Sequence, residues 1–315
     1  MKLGIDYIYG VHPSRCFGLT IGLDVLLPPK KCPIDCAWCP IGKTIDKTRK
    51  PMDQALNTRK IIEELKELYD YIGRAAKKVY VWGFGDPLLN SRISEVVEVV
   101  RAEDLADKVI IHTSGLLLPL YFSSRLFEHV DELVIPFEWT SEIRTGFGWE
   151  QTVSITTFLE ILSEVNRRYP GKLGLEITVF KFAGSLIPSV ESLREIANQA
   201  RRVGVERAYL KTINRFVSER MHSANPRLII EYAQILEDNG IKPVVCGEST
   251  SLEPGIRKQG LIRLVYNHIL RKPLSFRELK NIYGDNGVIS AENLVNMKKA
   301  VKTTWEKEVY YRGVI

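Results

Sequence analysis

No stretch of the 315 residues approaches the ~18 consecutive apolar residues of a membrane helix, which speaks against a membrane protein. The opening residues, MKLGIDYIYG, lack the basic head and apolar run of an export signal, and this predicts a cytoplasmic protein. No low-complexity tract or internal repeat occurs, so the chain is neither a disordered linker nor a solenoid. Cysteine is scarce: there are five, an odd number, and three of them fall within eight residues. A disulfide framework would not bunch them so tightly, and a cytoplasmic chain is expected to keep them reduced. The bunch therefore reads as a metal site.

Charge is unevenly placed. From Arg257 onward there are 12 Lys and Arg against 5 Asp and Glu; removing these from the totals of 44 and 38 leaves 32 against 33 for residues 1–256. The basic excess belongs to the tail, which points either to a module with a polyanionic partner or to a solvated basic surface.

Between these extremes, apolar patterning alternates strand and helix. Expected strands are 19–27, 78–82, 108–112, 132–136, 173–180 and 207–211, with a last apolar run at 243–246. Helices are expected at 54–73, 93–101, 120–129, 153–168, 188–203 and 226–239, with Ser189 and Gly204 as cap and stop of one of them. This order predicts an α/β fold, a partial (β/α)6-type parallel barrel with its site at the C-terminal strand ends. A doubly wound sheet would want a glycine-rich phosphate turn after the first strand, and cysteines stand there instead. The pattern breaks at 249–260, dividing a barrel (1–255) from a basic C-terminal unit (256–315). That unit reads as winged-helix-like: helices at 261–271, at a Ser275-capped SFRELKNIYG and at about 290–303, then a β-wing at WEKEVYYRG.

The cysteine segment is Cys32-Pro-Ile-Asp-Cys36-Ala-Trp38-Cys39, or C-x3-C-x2-C. Three thiolates on one loop can ligate three irons of a cubane and leave the fourth open. Structural zinc normally takes a second pair of Cys or His ligands, and no such C-x2-C or H-x3-H pair is present.

This motif, with its aromatic residue before the third cysteine, resembles that of the radical S-adenosylmethionine superfamily. The resemblance implies a [4Fe–4S] cluster on Cys32, Cys36 and Cys39. S-adenosylmethionine would chelate the open iron, and one electron would cleave it to a 5′-deoxyadenosyl radical. It further implies that Trp38 packs on the adenine; a core tryptophan is the plainer reading. Gly83-Phe84-Gly85-Asp86-Pro87 is similar to the family's G-x-G-E-P turn, which holds the cofactor's amino group, with Asp86 one methylene short of the usual Glu. His112-Thr113-Ser114-Gly115 is similar to its T-N-G turn, with Ser for Asn. By the same resemblance Glu138 and Glu176 are ribose or carboxylate contacts, or else partners in salt bridges within the barrel. Lys181, Lys211 and Arg215, at or beyond strand ends, are candidate substrate-facing or catalytic residues; a lysine there can form a Schiff base with a carbonyl, although surface lysine is the commoner state.

Tyr9-Gly10-Val11-His12-Pro13-Ser14-Arg15, Gly22-Leu23-Asp24 and Pro29-Lys30-Lys31-Cys32 resemble the opening of a subgroup related to four-demethylwyosine synthase, a tRNA-modifying enzyme. Cys16 stands where a second Arg is usual. Cys16 and Cys246 fall short of the three further cysteines a second cluster needs. No flavodoxin domain is present, which implies an external ferredoxin- or flavodoxin-type electron donor. Three functions remain open: modification of RNA, plausibly a tRNA base, with Arg271, Lys272, Lys298, Lys299 and Lys302 tracking phosphates; radical chemistry on a peptide or small metabolite; or a redox-sensing [4Fe–4S] regulator with a DNA-binding winged helix.

Overall fold

The computed structural model describes residues 3–72, 76–138, 140, 153–247 and 260–315. Eight strands follow one another across the main sheet in chain order: β1 (Ile8–Ser14), β2 (Gly18–Leu23), β3 (Lys78–Val81), β4 (Lys108–His112), β5 (Glu132–Pro136), β6 (Leu173–Phe182), β7 (Arg207–Thr212) and β8 (Lys242–Val245). β1 and β2 are antiparallel, and every pairing from β2 to β8 is parallel. The sheet is curled into a half-barrel, as the alternation of elements requires.

The helices α1 (Thr58–Ile72), α2 (Ile93–Ala102), α3 (Ile155–Arg168), α4 (Val190–Val203) and α5 (Pro226–Asp238) supply the crossovers. Ser154, Ser189 and Asn225 cap three of them through side-chain oxygens, and Gly204 closes α4 at φ 79°. Strand side chains alternate with period two. Val79, Val81, Val109, Ile111, Leu175, Ile177 and Leu210 enter the core, while Tyr80, His112, Glu176 and Lys211 line the cavity.

Two expectations need correction here. Residues 8–14, which precede the first expected strand at 19–27, form the edge strand β1, with a bulge between Tyr9 and His12. The helix expected at 120–129 is a 3-10 turn (Leu118–Tyr121) and a single helical turn (Leu126–His129). Pro119 and the Ser124 side chain explain the break: the hydroxyl bonds the Tyr121 carbonyl at 2.8 Å and accepts from the Leu126 amide at 3.3 Å, competing with helical pairing.

Cys16, in the turn between β1 and β2, is disulfide-bonded to Cys246 just beyond β8, with Cα atoms 4.6 Å apart. The expectation that every cysteine is reduced therefore fails for these two. Their bond ties the first hairpin of the sheet to its last strand. Beside it, Arg15 donates to the Thr212 carbonyl at 2.6 Å, and the Phe17 ring lies 4.8 Å from Tyr209 and 5.8 Å from Tyr80.

The boundary expected near residue 255 lies outside the described residues. Beyond it come α6 (Leu261–Arg271), β9 (Leu274–Ser275), α7 (Phe276–Asn296), β10 (Ala300–Trp305) and β11 (Glu308–Gly313). α7 is broken at Gly284, and the three strands pair antiparallel in the order β9-β11-β10. Ser275 and Glu278 form a reciprocal capping box. The last helix stops at Asn296 rather than 303, because Lys298 takes a positive φ (56°) and turns the chain into β10.

This C-terminal unit has its own apolar cluster, and Phe84 of the G-x-G-D-P turn belongs to it. The fully buried Arg271 joins the unit to the barrel. Its guanidinium donates to Asp24 Oδ2 at 2.8 Å and to the carbonyls of Asp6 (2.5 Å) and Asn267 (3.1 Å), and it lies over the rings of Tyr9 and Phe84. We predict that Arg271→Ala, which strands the buried Asp24 carboxylate, destabilises the protein by about 3–5 kcal/mol in chemical denaturation. A loss below about 1 kcal/mol would contradict this role, since that is the range of an exposed ion pair.

Candidate active site

The site grows out of the loop that follows β2. The backbone of Lys31 pairs with the turn after β3: its amide bonds the Phe84 carbonyl at 2.9 Å, and its carbonyl accepts the Asp86 amide at 3.1 Å. These contacts explain both glycines. A Cβ on Gly85, which has φ 138°, would stand 1.6 Å from the Lys31 carbonyl oxygen, and one on Gly83 would stand 2.0 Å from the Asp24 carboxyl carbon. The glycines thus let the chain pass close to itself.

Cys32, Cys36 and Cys39 lie outside any disulfide, are half-buried and face one cavity. Burial and the nearby Asp86 push the Cys32 thiol up to about 12, so a metal must displace its proton. Lys30 faces the same cavity and bonds the Gly42 carbonyl at 2.6 Å. Burial works against its ammonium, but Cys39, Cys32 and Cys36 outweigh that and raise its pKa. Among the described residues no three His, Cys, Asp or Glu side chains are drawn together as ligands of one metal ion. Thiolates on three corners of a cubane bind three separate irons, so the single-ion arrangement is not what a cluster needs. Three thiols on one loop, opening on one cavity beside a buried ammonium, fit a cluster with one unligated iron.

Trp38 lines the cavity with its ring 5.3 Å from that of Phe180. Asp86, Thr113 and Ser114 come together and bond one another. Asp86 Oδ1 accepts from Thr113 Oγ1 (2.7 Å) and the Leu88 amide (3.1 Å), while Oδ2 accepts from the Ser114 amide (2.9 Å) and hydroxyl. A carboxylate offers about four acceptor positions, so Asp86 is filled by the protein and acts on the site by positioning the turn after β4.

Glu176 faces the lumen and pairs with Lys211 Nζ at 2.6 Å and His112 Nε2 at 3.2 Å. Burial alone would raise its carboxyl, but Lys211 and His112 hold it well below the usual range. Glu138 is wholly buried and bonds the Thr178 amide at 2.6 Å; burial, with Glu176 adding, pushes it up to about 8. Among the described residues its Oε2 and the Thr178 hydroxyl have no hydrogen-bond partner, so polar capacity remains there.

Of the three candidate catalytic residues, Lys211 and Arg215 line the cavity. Lys181 does not: it sits on the far part of β6, between the short strands Ser185–Ile187 and Met221–Ser223. Arg271, named for phosphate contact, is buried in the Asp24 pair and cannot reach RNA. Of the cavity's cations, Lys30 and Arg15 had been given no role, and Lys272 had been named only for phosphate contact. The first two fall in the quoted motifs at the start of the chain. Lys272 gave no signal beyond the charge of the tail.

No protein-family model matches the chain. A UPF0026 protein of Helicobacter pylori strain J99 is 21% identical over 314 residues, 98% of each chain. One from Methanocaldococcus jannaschii is 26% identical over 227 residues, 67% of this chain and 65% of that protein. Among solved structures, a radical SAM methyltransferase from Sphaerobacter thermophilus superposes with a TM-score of 0.56 at 16% identity, over 72% of this chain and 65% of its own. Archaeal TYW1 gives a TM-score of 0.43 at 14% identity, over 74% and 75%. The first likeness is one of fold, and the second is too slight to place the chain in a subgroup.

Asp86→Asn tests the positioning role. The Leu88 and Ser114 amides approach different carboxylate oxygens, so either orientation of the asparagine sets its NH2 against a backbone N–H. We predict a loss of about 1–3 kcal/mol in denaturant unfolding of the metal-free chain. Unchanged stability would show that the turn is held by other contacts.

Proposed function

We propose that the protein is a radical S-adenosylmethionine enzyme. The observation that carries this reading is the single cavity on which three loop thiols, an aromatic side chain and the turns after β3 and β4 converge. Cys32, Cys36 and Cys39 would hold a [4Fe–4S] cluster, with Lys30 offsetting the negative charge of the thiolates. Trp38, the backbone of the glycine turn, Thr113, Ser114 and the unused capacity at Glu138 and Thr178 would receive the cofactor. When bound, the cluster would supply one-electron reductive cleavage of S-adenosylmethionine, the chemistry by which a hydrogen atom can be taken from a substrate. The C-terminal unit closes part of the cavity through Lys272 and Glu278, which shields the site from water. Among the described residues no helix is long and apolar enough to cross a membrane. A separate ferredoxin- or flavodoxin-type protein would supply the electron.

RNA remains a second reading of the substrate, supported by the +7 surplus of the tail and the exposed Lys298. Its support is narrower than the charge count implied, because Arg271 is buried and Lys302 pairs with Glu292 at 2.6 Å.

Anaerobic reconstitution tests the assignment. The expected outcome is about four irons per chain, and release of 5′-deoxyadenosine and methionine when dithionite and S-adenosylmethionine are added. Replacing Cys32, Cys36 or Cys39 with Ala should remove both, whereas Lys181→Ala should leave them. Cleavage that persists in all three cysteine variants would sink the proposal. Acceleration by added tRNA would favour the RNA reading, and indifference to tRNA would count against it.

A further inference from the structure

The cavity has a second chemical character, remote in sequence from the cysteine loop. Arg15 from the β1–β2 turn, Lys211 at the end of β7, Arg215 beyond it, and Lys272 just after α6 all line it. Two of the four are neutralised: Lys211 by Glu176 at 2.6 Å and Arg215 by Glu278 at 3.1 Å. Arg215 is further fixed by donating to the Pro273 carbonyl at 2.5 Å. Among the described residues, neither Arg15 nor Lys272 has a carboxylate within ion-pair distance. Arg15 gives one hydrogen bond to the Thr212 carbonyl, and Lys272 Nζ lies over the rings of Tyr80 (5.4 Å) and Trp82 (5.5 Å).

Arg15 and Lys272, which line one cavity and have no counter-ion among the described residues, carry a desolvation cost that an anion would relieve. The surroundings show it. Burial, then Arg215 and Lys211, push the Lys272 ammonium well below its ordinary value, and burial with Arg215 brings Arg15 down to about 10. Nothing in the core requires either charge there, since both side chains face the open cavity.

We propose that Arg15 and Lys272, backed by the Lys211–Glu176 and Arg215–Glu278 pairs, form a subsite for an anionic group of the substrate, a carboxylate or a phosphate. The inference rests on the radical reading and deepens it by naming the substrate's class. The Arg15 fork accepts a planar or tetrahedral anion in two-point fashion, and Lys272 adds a point charge. Tyr80 and Trp82 offer aromatic faces to the part of the substrate next to the anion. The cations come from elements other than the cysteine loop and the turns after β3 and β4. The anionic end would thus be held by elements that do not carry the cysteines.

Isothermal titration with pyrophosphate and with malonate tests this on the cluster-loaded protein and again on the metal-free chain. Binding by the metal-free chain is independent of radical chemistry, so failure of that chemistry and failure of the subsite are distinguishable. The expected result is one site per chain, weakened about tenfold or more in Arg15→Gln and in Lys272→Gln. Lys272→Arg, which keeps the charge, should restore it. Matching melting temperatures show that the variants are folded, and the charge-preserving variant controls for any that are not. A preference for pyrophosphate assigns a phosphate, and a preference for malonate a carboxylate. If neither probe binds, or binding survives both Gln variants, the subsite is overturned. It is equally overturned if the same variants lose affinity for S-adenosylmethionine by a similar factor, because the cations would then serve the cofactor's own carboxylate.

Discussion

The buried pair of Asp24 and Arg271 is the contact on which the rest of the site depends. Asp24 ends the first parallel strand and takes hydrogen bonds from the amides of Leu26, Leu27 and Phe84, so it fixes both the entry to the cysteine loop and the glycine turn. Arg271 ends the helix that opens the C-terminal unit. Neither charge is tolerable in the interior without the other. Folding the barrel therefore docks the C-terminal unit, and docking delivers Lys272 and Glu278 to the cavity. The unit is part of the chamber wall as much as an appended module.

A second consequence concerns how the half-barrel is closed. Among the described residues no strand pairing joins β1 to β8. The Cys16–Cys246 bond spans that gap instead, and the hydrogen bond from Arg15 to Thr212 ties the same turn to the end of β7. They also hold Arg15 at the cavity, so the closure of the sheet and the placement of a cation are one arrangement.

The barrel was legible in the sequence because its signals are local. Strands buried on one face alternate with period two, helices carry Ser caps and a Gly stop, and three cysteines crowd one loop. What could not be read involves partners far apart in the chain. Asp24 stood in a quoted motif, yet its partner lies 247 residues later, where Arg271 counted only as tail charge. Cys16 and Cys246, 230 residues apart, looked like leftovers. Asp86 was read from its type and position as the partner of an ammonium, while its hydrogen bonds from Thr113, Ser114 and Leu88 are visible only in tertiary structure. Edge strand β1 was obscured by Gly10 and Pro13, residues that argue against a central strand but are compatible with an edge.

On the proposed reading, the cavity presents a cluster with one open iron to S-adenosylmethionine. Its most direct measurement is pulsed electron–nuclear spectroscopy of the reduced, reconstituted protein with cofactor labelled at the amino nitrogen and carboxylate oxygen. Hyperfine coupling of both labels to the cluster is expected, which would place them on the iron that Cys32, Cys36 and Cys39 leave free. A reduced cluster with bound cofactor and no coupling to either label would contradict it.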